Sequence, residues 1–113
     1  MGNKNNKNKN YQLVKSSFEL IGRKNIRLLN YNYPIDPLNV PKYINAADVV
    51  VLSSFLEGSP NIVKESMACN TPVVSVDVGD VKNIIKKTKG CYLSSYDPND
   101  FSKNILNAID YGK

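Results

Sequence analysis

The chain predicts an α/β domain, a parallel sheet with helices on both of its faces. Three observations carry that expectation. Short apolar runs rich in β-branched residues, "DVVVLSS", "PVVSVDV" and "CYLSS", recur along the chain and read as strands buried on both faces. Segments with helical spacing of apolar residues alternate with them. Several of those helices open on a cap followed by proline, the arrangement that a helix start favours.

Taken in order, the first element is a helix in "YQLVKSSFELIG", where Leu13, Val14, Phe18 and Ile21 share one face and Gly22 suits the C-terminal stop. "NIRLLNYN" reads as a short strand from Asn25 to Tyr31, and "YPIDPLN" with its two prolines as a loop. Asn39 caps a short helix running through Ala47, with Pro41 in its first turn, where a missing N–H costs little. "DVVVLSS" follows as a strand, and Glu57 and Gly58 stand at its end. Ser59-Pro60 starts a helix to about Cys69, closed by Asn70. "PVVSVDV" is the next strand, "GDVKNIIKK" a short helix and "CYLSS" a further strand. Asp97-Pro98 opens the last helix, which runs to about Tyr111. Right-handed crossovers between parallel strands spread such helices over the sheet.

The bulk composition narrows the function classes. At 113 residues with 42% apolar content, the chain fits one modest core. The polar start, residues 1–10, is set apart as a leader, and residues 11–113 as the domain. No run reaches the ~20 apolar residues of a membrane span, and "MGNKNNKNKN" lacks the apolar centre of an export signal. The expected location is therefore cytoplasmic. Cys69 and Cys91 are too few and too far apart for a disulfide framework or a zinc site, and they read as small apolar groups. The net charge of +5 raises a nucleic-acid reading, but no aromatic residues interleave with the cations, so no nucleic-acid partner is expected. Lys86, Lys87 and Lys89 form a late cluster, either a solvated face or a weak peripheral contact with an anionic membrane. With no histidine in the chain, chemistry rests on carboxylates or on a base supplied from elsewhere.

The stretch "FLEGSPNIVKESMACNTPVVSVDVGD" holds the candidate site. Ligands of parallel α/β sheets bind where the strands end, and Glu57 stands there. The N–H groups from Gly58 to Ile62 fall at a helix N-terminus, an anion site suited to phosphate. Glu65, eight positions after Glu57, would repel a phosphate but accepts hydrogen bonds from neutral hydroxyls. A phosphate site beside two hydroxyl-binding carboxylates matches a nucleoside–phosphate–sugar ligand; on spacing alone, two solvated glutamates explain the pattern as well. Asp77, Gly79 and Asp80 follow a strand end and either approach the ligand or serve turn chemistry. Tyr31 and Tyr33 are candidates for base stacking or for loop packing, and Met67 reads as packing.

"NAADVVVLSSFLEGSPNIVKESMACNTPVVSVDVGDV", residues 45–81, closely resembles the donor-binding segment of retaining glycosyltransferases of the GT-B type (glycosyl transferases group 1, family 4). The resemblance implies the C-terminal, Rossmann-like half of a two-domain enzyme. It further implies transfer of a hexose from a nucleotide-diphosphate sugar to a glycan or lipid-linked acceptor, as in polysaccharide biosynthesis, with retention and no required metal. By residue, Glu57 is similar to the glutamate that contacts the donor sugar near the departing bond, and Glu65 to the one that binds the ribose. Gly58, Ser59, Pro60, Asn61 and Ile62 match the positions lining the sugar–diphosphate pocket. Lys4 and Lys9 have the spacing of the family's basic pair for the diphosphate, with lysine in place of arginine; a solvated polar leader explains them equally.

The chain departs from the family pattern in two ways. It begins after the place of the domain's first, central strand, and a strand–helix unit is missing between Gly22 and Asn25. The acceptor-binding domain is also absent, so a separate domain or subunit is expected as partner and this chain alone is expected to be catalytically incomplete. The alternatives are a nucleotide-binding module without transfer and a truncated relic.

Overall fold

Strand and helix alternate along the chain in the computed structural model, which describes residues 10–23, 25–28, 37–56, 58, 61–86 and 88–111. Helix α1 spans Tyr11–Ile21, a 3₁₀ turn Pro37–Asn39 leads into α2, Val40–Ala46, and strand β1 spans Val50–Leu52. Then come α3 Asn61–Ala68, β2 Val73–Val76, α4 Val81–Ile85, β3 Tyr92–Ser94 and α5 Pro98–Tyr111. The three strands lie in the order β1-β2-β3. Both pairings are parallel, with Val51 opposite Val74 and Ser75 opposite Leu93. This is an α/β, Rossmann-like arrangement, as the alternation of strand and helix predicts.

The helices form two layers around that sheet. Helices α1 and α5 pack on each other, and α5 lies on β2 and β3. Helix α3 packs on β1, β2 and α2, and two successive right-handed crossovers put α3 and α4 on one face. The core between the layers is apolar and closely filled. Val63, Val73, Val74, Val76, Val81 and Phe101 are all fully buried. Phe101, Ile105 and Ala108 recur at helical spacing on the buried face of α5, so the helix is held by its stripe rather than by intrinsic propensity.

Helix ends follow local chemistry. Gly22, at φ 61°, donates its N–H to the Phe18 carbonyl and stops α1, a left-handed turn that glycine makes without a Cβ clash. Asn70, at φ 58°, closes α3 in the same way. The Asp97 carboxylate accepts the Asn99 N–H at 3.0 Å, and its carbonyl accepts the Phe101 N–H at 2.9 Å, which makes it the N-cap of α5. Asn39 sits at the start of α2 as expected, yet its side chain makes no cap bond. The 3₁₀ turn ahead of it already curls the backbone into helical angles.

Three expectations are corrected. Asn25–Tyr31 is not a strand over its described part. Asn25 lies in a turn that the Ile26 N–H closes on the Arg23 carbonyl, and residues 26–28 pair with no strand among the described residues. Residues 29–31 lie outside the described ones. Burial on both faces holds for β2 alone, because among the described residues β1 and β3 are the outer strands, and they keep Val50, Val51 and Leu93 partly open. Cys69 and Cys91 are free thiols but only half-buried. Cys91 packs against the core, and burial pushes its thiol above the usual range, partly offset by a hydrogen bond with the Val73 backbone. Among the described residues, no helix is long and apolar enough to cross a membrane.

Candidate functional site

The C-terminal ends of β1 and β2 lie side by side, and each feeds a turn that leads to a helix on the same face. After β1 comes Gly58 and then α3, and after β2 come Gly79 and Asp80 and then α4. The two turns are joined, since the Asp80 N–H donates to the Gly58 carbonyl at 2.9 Å. The Asp77–Asp80 loop thus meets Gly58 at Asp80, and Gly79, at φ 55°, makes a turn within it. Asp77 is exposed.

Gly58 is exposed, and a Cβ built on it meets nothing within 4 Å among the described residues. Packing therefore does not demand glycine here. What its hydrogen leaves is open room beside the backbone, just before the first N–H groups of α3. Those groups, from Asn61 to Val63, have no intrahelical acceptor by the geometry of a helix start. Asn61 is exposed, whereas Ile62 is half-buried and packs against the core. Glu65, the fifth residue of α3, is half-buried. The next side chain, Ser66, is fully buried and returns its hydroxyl to the Ile62 carbonyl at 2.6 Å. That bond ties the helix start to the turn that bears Glu65.

Two buried oxygens in this neighbourhood have no hydrogen-bond partner among the described residues, the Ser54 hydroxyl and Asp80 Oδ1. Buried polar atoms are rarely left so. Both follow strands that end at the same edge of the sheet.

Gly58 thus precedes α3, and Asn61, Ile62 and Glu65 lie within it. Glu57, Ser59, Pro60, Lys4 and Lys9 lie outside the described residues, as do Tyr31, Tyr33 and Lys87. Among the described residues no three carboxylates or thiols converge as metal ligands do.

A feature the spacing did not suggest lies on the other side of this edge. Phe55, just past β1, stacks on Tyr96, just past β3, with ring centroids 5.4 Å apart and planes 15° apart. The Tyr96 hydroxyl donates to the Ser54 carbonyl at 2.9 Å, and burial followed by the Asp77 charge raises its pKa. Two aromatic residues placed directly after parallel strands are the signal that could have found the pair.

A parallel sheet whose strand ends lead through a glycine to a helix N-terminus is the architecture of Rossmann-like α/β domains. The chain matches the family model for glycosyl transferases group 1 over residues 1–110, and it belongs to that family. It is 28% identical over 78 residues to D-inositol 3-phosphate glycosyltransferase 2 of Catenulispora acidiphila, covering 68% of this chain and 18% of that one. It is 30% identical over 84 residues to the D-inositol 3-phosphate glycosyltransferase of Thermomonospora curvata, covering 74% and 20%. A Bacillus subtilis glycosyltransferase, TuaC, provisionally named for teichuronic acid biosynthesis, is 44% identical over 48 residues, covering 42% and 12%. The chain spans a fifth or less of the length of these curated relatives.

Proposed function

We propose that this chain is the donor-binding part of a glycosyltransferase. In that reading a hexose moves from a nucleotide-diphosphate sugar to a glycan or lipid-linked acceptor, with retention at the anomeric carbon and on the cytoplasmic side of the cell. The observation that carries the reading is the bond from Asp80 to Gly58. It fixes Gly58 shortly before the start of α3, inside a chain whose family transfers sugars.

The roles follow from chemistry. The N–H groups of Asn61, Ile62 and Val63 hold the diphosphate, with Gly58, Ser59 and Pro60 shaping the approach; Pro60 has no N–H to give. Glu65 accepts hydrogen bonds from ribose hydroxyls, and Glu57 from sugar hydroxyls next to the bond that breaks. Lys4 and Lys9 offset the charge of the departing diphosphate. The protein's share of catalysis is orientation and fixed electrostatics. Relatives named for D-inositol 3-phosphate and teichuronic acid support a polyhydroxylated acceptor. A separate domain or subunit supplies further contacts to that acceptor.

Calorimetric titration with uridine and guanosine diphosphates tests the donor site. One of the two is expected to bind, and Glu65→Ala to weaken it roughly tenfold, the loss of one or two hydroxyl–carboxylate hydrogen bonds. Absence of binding by both nucleotides at millimolar concentration would sink the reading. A second reading is a nucleotide-binding module without transfer. A transfer assay with the chain alone separates the two.

A further inference from the structure

The Phe55–Tyr96 pair stands outside the donor reading. Phe55 is 55% exposed and Tyr96 41% exposed, so the stack is not a core contact. Its geometry is nonetheless set from two directions, by ring-on-ring contact at 5.4 Å and by the Tyr96 hydroxyl on the Ser54 carbonyl. A flat apolar surface held in place yet left open has a cost that a covering partner removes.

Beside the pair lies an open cavity of about 240 Å³, lined by Asn10, Gln12, Leu13, Ser16, Phe55, Tyr96 and Pro98. None of these side chains is charged. Two are amides, each with donors and an acceptor, and two more carry hydroxyls. The Gln12 amide donates to the Ser16 hydroxyl at 2.9 Å, which orients both along the rim. No described residue of this lining would neutralise a phosphate or a carboxylate. A pyranose has the complementary surface, with one face of C–H groups for an aromatic ring and a rim of neutral hydroxyls for amides.

The cavity does not lie on the α3 face of the sheet. The cavity is walled by the first turns of α1 and α5, the layer across the sheet from α3. Phe55 is nevertheless only three residues before Gly58, so a ligand here faces the same edge. A nucleobase can also stack on aromatic rings, but one tethered to a diphosphate at α3 would have to cross that edge to reach it.

We propose that Phe55, Tyr96 and the cavity they border form a saccharide subsite that seats a neutral sugar ring of the acceptor. The word "acceptor" rests on the donor reading above; the binding of a neutral saccharide does not. The test uses the chain labelled with carbon-13 on its three Phe and seven Tyr residues, followed by NMR. The probes are maltotriose, cellotriose, mannotriose and tri-N-acetylchitotriose, with uridine and guanosine diphosphates in a second arm. Saccharides are expected to shift Phe55 and Tyr96 at millimolar concentration. Phe55→Ala should weaken that binding at least tenfold, the scale of a lost ring contact, while nucleotide binding is unchanged. Tyr96→Phe keeps the ring and releases it from Ser54, so it should weaken binding about threefold with the circular dichroism unaltered. Saccharide shifts without nucleotide binding support the subsite and count against the donor reading. No shift at Phe55 with any of the four saccharides overturns the subsite, and so does a shift there with a nucleotide alone.

Discussion

Gly58 and Glu65 answer different questions about the same turn. Removing the Glu65 carboxylate asks what the ligand donates to it. Adding a methyl at Gly58 asks whether the room beside the backbone is used. Because a Cβ there meets nothing within 4 Å among the described residues, Gly58→Ala should leave the thermal midpoint within about 2–4 °C of the parent, the shift that a few tenths of a kcal/mol produces. Nucleotide affinity, read by calorimetry, should fall tenfold or more if phosphate packs against that backbone. Equal affinity in the two proteins would show that the ligand does not approach Gly58. Gly90 is the contrasting case. It sits at φ 85°, and a Cβ would meet the Tyr111 ring at 2.8 Å, so the fold itself requires that glycine.

At the scale of elements, the start of α5 shows how a helix end is coupled to pH. Asp97 caps the helix, and Asp100 in its first turn accepts the Ser95 N–H at 2.9 Å. That backbone hydrogen bond, then the Ser95 side chain, holds the Asp100 carboxyl below its ordinary value of 3.8, with smaller help from Ser94 and Lys103 against desolvation. A lowered native pKa means the contribution is full above the unfolded value and is lost as pH falls through the native one. Urea midpoints measured from neutral pH into the acid range should therefore fall less steeply for Asp100→Asn. The difference is small, because the group is partly exposed and screened. Parallel acid limbs in the two proteins would remove Asp100 from the account.

Elements of this kind are also where the sequence speaks most clearly. Asp97-Pro98, Gly22 and the runs "DVVVL", "PVVSV" and "CYLS" each carry a local cause, a cap, a left-handed stop or a β-branched strand, and each appears where that cause puts it. The body of α3 and its stop at Asn70 were legible too. Asn25–Ile26 was not, because a strand forms only against a neighbour, and pairing is a property of the sheet rather than of a segment. Phe55 and Tyr96 lie 41 residues apart, and no local rule joins them. Nor does any local rule join Asp80 to Gly58. Contacts between neighbouring strand ends come from the order of the sheet, which was only partly written in the segments.

For the whole molecule, buried side chains of α1, α3, α4, α5, β1 and β2 form one apolar cluster. Phe101 is fully buried between α5 and the sheet, and Phe101→Ala is expected to cost about 3–5 kcal/mol. A domain this small has about 5–15 kcal/mol in total. Loss of a cooperative melting transition, or a midpoint lowered by 10 °C or more, is the expected result; a midpoint within about 4 °C would place the core elsewhere.

The middle position of β2 has one more consequence, for how fast backbone protons exchange with solvent. Both flanks of β2 are paired and all four of its residues are buried, so its amide protons leave only when the sheet comes apart. In β1, Val50 donates its N–H to the Pro72 carbonyl at 2.9 Å. Alternation along a parallel strand then turns the Val51 N–H away from β2, toward an edge where no described residue pairs with it. In heavy water, Val74 and Val51, although opposite each other in register, should differ by orders of magnitude in rate. Slowing of Val51 alone would then report, at a single atom, that another strand has arrived.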